Sequence, residues 1–117
     1  MAGKSWQDVE AEIRHIVTGS SEKFSRDTLV QVSDFVMLAR ECCPVPDNVG
    51  KGYRATLSLY WAAESFEVEI FADRLELYRF FGGRTEIRHV EHVAGSPFPQ
   101  ELAAELPKRG AGDRLTP

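Results

Sequence analysis

The chain has 117 residues, 43% hydrophobic and 27% charged, with 14 basic and 18 acidic side chains for a formal charge of -4. That length suits one domain with a single core under two or three helices, and the acidic balance argues against a general nucleic-acid binder or adhesion to an anionic membrane. No apolar run approaches the ~20 residues of a membrane-spanning helix, and the start, Met1 to Asp8, turns polar at once with no signal-peptide core, so a soluble cytoplasmic protein is expected.

Residues 5–18 read as an amphipathic helix. Ser5 is a good N-cap, and Asp8 completes a short-armed capping box. Trp6, Val9, Ile13, Ile16 and Val17 follow on one face, and Gly19 can end the helix. Residues 25–43 read as a second helix, capped by Ser25, with Phe24 placed to staple onto Leu29. Leu29, Val32, Phe35, Val36, Ala39 and Cys43 form its apolar stripe, and Pro44 stops it.

Cys42 and Cys43 are the only cysteines, and they are adjacent. A bridge between neighbours is strained, so both are expected as free thiols, as in a reducing compartment. They end a helix, where the dipole disfavours a thiolate. A buried structural role is therefore expected rather than a redox or nucleophilic one.

Pro44 to Gly52 has the composition of a loop. Gly50-Lys51-Gly52 lacks the spacing of a phosphate loop and leads toward a strand. Alternating segments over 53–61, 65–71 and 75–81 read as three half-buried antiparallel strands. Hairpin connections fall at 62–64 and 72–74, and Gly82-Gly83 signals a further tight turn. A fourth strand over 84–93 is less regular. Ile87, Val90 and Val93 lie three apart, which implies a bulge or a helical portion. Residues 96–106 read as a short helix with Phe98, Leu102 and Leu106 inward, ended by Pro107, and 108–117 as a flexible tail.

The order predicts a single α+β domain over 1–107. It has two N-terminal helices, a four-stranded antiparallel meander and a short C-terminal helix. The core face would carry Tyr53, Ala55, Leu57, Leu59, Trp61, Phe66, Val68, Ile70, Leu75, Leu77 and Phe81.

The opposite face would carry Arg54, Thr56, Ser58, Tyr60, Glu67, Glu69, Phe71, Glu76, Tyr78, Phe80, Glu86 and Arg88. A half-solvated sheet normally shows polar residues there. The aromatics instead mark an interaction surface built from Tyr60, Phe71, Tyr78, Phe80 and Arg54, for a homodimer or another protein. The competing reading is that a terminal segment covers these rings within the monomer. Base stacking is disfavoured, because Glu67, Glu69, Glu76 and Glu86 would lie among the rings and repel phosphates.

The chemistry-bearing patterns are sparse. His89-Val-Glu-His92 is a compact cluster with metal-ligand side chains, but positions three apart on a strand point to opposite faces, and no third ligand is suitably spaced. There is no Gly-x-Ser-x-Gly elbow. No spacing selects a carboxylate pair among Asp34, Glu41, Asp47, Asp73 and the strand glutamates. No catalytic residue, metal or cofactor is therefore expected. The alternative to an interaction module is a small-molecule binder or minor enzyme with a pocket between helix 25–43 and the sheet, using Arg40, Glu41 or His89.

One longer pattern remains. Pro44, Pro46, Gly50, Gly52, Leu57, Leu59, Trp61, then Phe66-Glu67-Val68-Glu69-Ile70 and Tyr78, resembles a hairpin pattern in a loose group of small, uncharacterised bacterial and phage proteins. The resemblance implies a bacterial or phage origin and an accessory role, as in toxin–antitoxin or phage-defence modules. The group has no agreed active site, so no residue role transfers.

Overall fold

A computed structural model of the chain describes residues 4–109. Helix α1 (Trp6–Gly19) starts at the expected box. Ser5 Oγ accepts from Asp8 N at 3.2 Å, and Asp8 Oδ2 accepts from Ser5 N at 2.9 Å. The Ser5 amide holds the Asp8 carboxyl below its ordinary value. Helix α2 (Arg26–Cys42) starts at Ser25, whose Oγ accepts from Thr28 N at 3.1 Å. It closes with Cys43 N bonding Ala39 O, just before Pro44.

The α+β class stands, but the sheet has five strands rather than four: β1 (Asn48–Lys51), β2 (Leu57–Trp61), β3 (Phe66–Ile70), β4 (Arg74–Phe81) and β5 (Arg84–Glu91). They pair antiparallel in chain order. Helix α3 (Gln100–Glu105) follows, shorter than the expected 96–106.

The added strand lies in the segment read as a loop. Asn48 and Gly50 are poor strand formers, yet β1 pairs with β2 from Asn48↔Tyr60 to Lys51↔Leu57. The fixing contacts are long-range, and they override propensity. Trp61 Nε1 donates to Pro44 O at 2.8 Å, and Asp47 Oδ2 accepts from Ala62 N at 2.7 Å. Pro44 and Pro46 both precede the paired residues, so neither removes a donor from the ladder.

Making β1 a strand turns 52–56 into its hairpin connection. Gly52 N bonds Thr56 O, and Thr56 N bonds Arg54 O. The strand expected from 53 therefore starts at Leu57. Tyr53, expected in the core, is 89% exposed. Arg54, expected on the outer face of a strand, is an exposed loop residue.

Strand β5 needs neither bulge nor helix. It pairs with β4 unbroken from Arg84↔Phe81 to Glu91↔Arg74. The spacing of three divides its apolar residues between faces. Val90 opposes Leu75 and is buried; Ile87 opposes Tyr78 on the far side; Val93 lies past the strand. Glu86 and Arg88 therefore belong to the helix side, where Arg88 reaches Glu105 at 3.0 Å. Phe81 has core parity but is 49% exposed. It lies beyond Arg79, which bonds the carbonyl of Glu105 at the end of α3.

One core results. Val9 and Ile13 of α1, Val32, Phe35, Val36 and Ala39 of α2, and Leu102 of α3 share it with the inward residues of β2 to β5. All three helices thus serve one sheet face, and among the described residues no helix covers the other. No helix among the described residues is long and apolar enough to cross a membrane. The tail expected from 108 falls, from residue 110 onward, outside the described residues.

Phe35 is fully buried and Tyr53 is not. Phe35→Ala should cost about 3–5 kcal/mol in urea unfolding, whereas Tyr53→Ala should stay within about 0.5 kcal/mol of the parent.

Candidate interaction surface

The strand registers place Tyr60 beside Glu67, Glu67 beside Tyr78 and Tyr78 beside Ile87, in one row across β2 to β5 on the uncovered face. Phe80 adjoins this row. Its centroid is 6.4 Å from that of Tyr60, with planes at 60°, and 6.4 Å from that of Tyr78, with planes at 7°. Such spacings make favourable aromatic pairs. Phe80 is still 37% exposed and Ile87 55% exposed. No terminal segment among the described residues lies over this row, because α1, α2 and α3 all join the core on the opposite side.

The structure brings together three of the five residues expected at the site. Tyr60, Tyr78 and Phe80 form the ring cluster; Phe71 and Arg54 stand outside it. Phe71 lies toward the other end of the sheet, where the Arg74 guanidinium sits 3.9 Å over its ring. That cation–π contact gives the ring a cover within the chain. Sequence reading missed Ile87. A two-residue turn at Gly82-Gly83 fixes Phe81 opposite Arg84, and counting back puts Ile87 opposite Tyr78.

A polar network joins the rings to the rest of the face. Tyr78 donates its hydroxyl to Glu76 Oε1 at 2.6 Å and lies 3.3 Å from Glu69 Oε1. Thr56 Oγ1 donates to Glu69 Oε2 at 2.6 Å. Arg74 Nε donates to Glu76 Oε2 at 2.9 Å, and His89 Nε2 lies 3.6 Å from the same oxygen. A β-carbon at Gly52 would run into Thr56 Oγ1 and the Glu69 carboxylate, so this close approach requires glycine.

The charges respond in opposite ways. Burial pushes the Glu76 carboxyl up, but the Tyr78 hydroxyl and Arg74 outweigh it, and the net shift is downward. Burial, then the Glu76 carboxylate, holds the Tyr78 phenol well above its ordinary value. Glu67 moves upward, first by burial and then by repulsion from Glu69.

The two histidines separate. His89 is exposed on the outer face, opposite Glu76. His92 is buried on the helix side, with Nδ1 2.5 Å from Gln31 Oε1, Nε2 2.7 Å from Ser96 O, and its ring stacked 3.9 Å from Phe98. Gln31 Nε2 donates back to His92 O at 2.9 Å. His92 thus clamps the end of β5 onto α2. Among the described residues no three His, Cys, Asp or Glu side chains gather as a metal site.

The other groups considered from sequence also lie apart. Cys42 and Cys43 are free, with sulfurs 3.6 Å apart, and burial drives the Cys43 thiol far up. Arg40 pairs with Glu10 of α1 at 2.6 Å, Glu41 is exposed, and His89 is across the sheet. These three polar groups therefore share no cavity. An apolar groove of about 360 Å³ does lie between α1 and α2, lined by Ile13, Val17, Leu29, Val32, Val36 and Met37 among others.

No protein-family model, curated protein or solved structure matches the chain.

Two substitutions should show opposite pH dependence. The depressed Glu76 value stabilises the fold above its ordinary value of 4.5, and this is lost as pH falls through the lower folded value. Tyr78→Phe, which removes the hydroxyl, should therefore cost about 1 kcal/mol at neutral pH and less in acid. The raised Glu67 value disfavours the charged form, a cost that appears as pH rises through 4.5. Glu67→Gln should therefore stabilise by less than about 1 kcal/mol at neutral pH, and the gain should vanish in acid. Urea unfolding across the pH range measures both.

Proposed function

We propose that the chain is a protein–protein interaction module that docks another protein on its uncovered sheet face, around Tyr60, Tyr78, Phe80 and Ile87. The observation that carries this reading is the one-sided cover. Three helices serve one face of the sheet, while the other gathers partly exposed rings and an exposed isoleucine. Interface centres favour such residues, because aromatics bury much area at little entropic cost.

The face is also pre-ordered. The bonds among Thr56, Glu69, Tyr78, Glu76 and Arg74 hold its polar half in place, so little side-chain ordering remains to be done on binding.

Charge selects the partner. Glu67, Glu69 and Glu76 lie on this face, and Arg74 is already engaged by Glu76 and Asp73. Two copies packed face to face would oppose carboxylates to carboxylates. A different protein with an apolar centre and a basic rim matches better. An accessory component of a larger assembly, the role implied by the hairpin resemblance, fits this reading.

The test places a photo-crosslinking p-benzoylphenylalanine at position 80, 87 or 53 in cells. Positions 80 and 87 should give a covalent adduct with one and the same protein, and exposed position 53 none. Absence of adducts at 80 and 87, or the same adducts from 53, would overturn the reading.

A further inference from the structure

Glu67 stands at the centre of the row, flanked by Tyr60 on one strand and Tyr78 on the other. A groove of about 500 Å³ opens there, lined by Asn48, Ser58, Tyr60, Glu67 and Phe80 among others. The neighbouring carboxylates are satisfied: Glu69 accepts from Thr56, and Glu76 accepts from Tyr78 and Arg74. No side-chain hydrogen bond or ion pair among the described residues reaches Glu67. Its charged form is disfavoured by burial and by Glu69, and among the described residues no cation compensates it.

We propose that this groove is a socket for one lysine or arginine side chain of the docked protein, with the cation on the Glu67 carboxylate and the aliphatic stem against the Tyr60 and Phe80 rings. The inference rests on the reading of this face as a docking surface and names the chemistry that the partner presents there. Three properties of the groove favour a cationic side chain. The carboxylate offers a charge-assisted hydrogen bond, which is stronger than a neutral one. The ring faces attract a cation through their quadrupole. The apolar walls suit the methylene stem that lysine and arginine bury while keeping the charged head solvated. An anionic ligand would face Glu67 and Glu69 together, and a neutral one would leave Glu67 uncompensated.

The test is an NMR titration of the isotope-labelled full chain. The charged probes are Nα-acetyl-lysine methylamide and Nα-acetyl-arginine methylamide, and Nα-acetyl-norleucine methylamide is the uncharged analogue that keeps the four side-chain carbons of the first and lacks its ammonium group. The charged probes should shift the resonances of Tyr60, Glu67 and Phe80 and bind at least about fivefold tighter than norleucine. Glu67→Gln should abolish that preference, and Glu101→Gln on α3 should preserve it. Equal binding of norleucine, no shift with either charged probe, or an unchanged preference in Glu67→Gln would overturn the socket. Crosslinks at position 80 that persist without cation preference would sink the socket and spare the docking surface. Loss of those crosslinks would instead sink the docking surface itself.

Discussion

Strands β2, β3 and the first part of β4 alternate buried and half-buried residues from Leu57 to Tyr78, and among the described residues helices meet that alternation on one side only. Most of the remaining structure follows from this asymmetry. Inward positions such as Leu59, Val68 and Leu77 are dry because α1, α2 and α3 converge on them. Each outward position stays at the water boundary whatever its chemistry. A ring placed there by parity is half-buried by its neighbours at most, and it remains available to a second surface.

The same constraint governs the polar groups. On the helix side, polar side chains must be satisfied internally, and the Gln31–His92–Ser96 chain does this where β5 hands over to the segment leading to α3. On the open side, carboxylates can survive with fewer partners. Glu69 and Glu76 are nonetheless drawn into a fixed network by Thr56, Tyr78 and Arg74. Glu67, one row away, is flanked by Tyr60 and Tyr78, and the Tyr78 hydroxyl is turned to Glu76 and Glu69 instead. The difference between these glutamates comes from which side chains the register sets beside each, and register is a property of the whole sheet.

Legibility in the sequence tracked the range of the forces involved. The Ser5–Asp8 box, the Ser25 cap and the turn at Gly82-Gly83 are local, and the corresponding elements begin and end where the residues indicate. The clean alternation of Phe66 to Ile70 was equally direct. β1 was not legible, because Asn48 and Gly50 argue against a strand and long-range contacts, from Trp61, Asp47, the β2 backbone and Val49 on the core, hold it in place. Tyr53 and Ala55 extend the alternation of β2 by two more pairs, yet the turn that β1 demands takes both out of the sheet. Of the site, Tyr60, Tyr78 and Phe80 could be read from parity alone. Ile87 required register across the last hairpin, and the covering of Phe71 by Arg74 and the isolation of Glu67 required three-dimensional neighbours.

That the inward residues from Leu57 to Leu77 are dry beneath the helices while the other face of the sheet is open is tested most directly by solvent paramagnetic relaxation of side-chain resonances in the full chain. With a soluble gadolinium chelate, the account predicts strong broadening at Phe80 and Ile87, clear broadening at Tyr60, and little at Leu59, Val68 and Leu77. Protection of Phe80 and Ile87 equal to that of Leu59 and Leu77 in the isolated chain would mean that a layer covers the second face, and would contradict it.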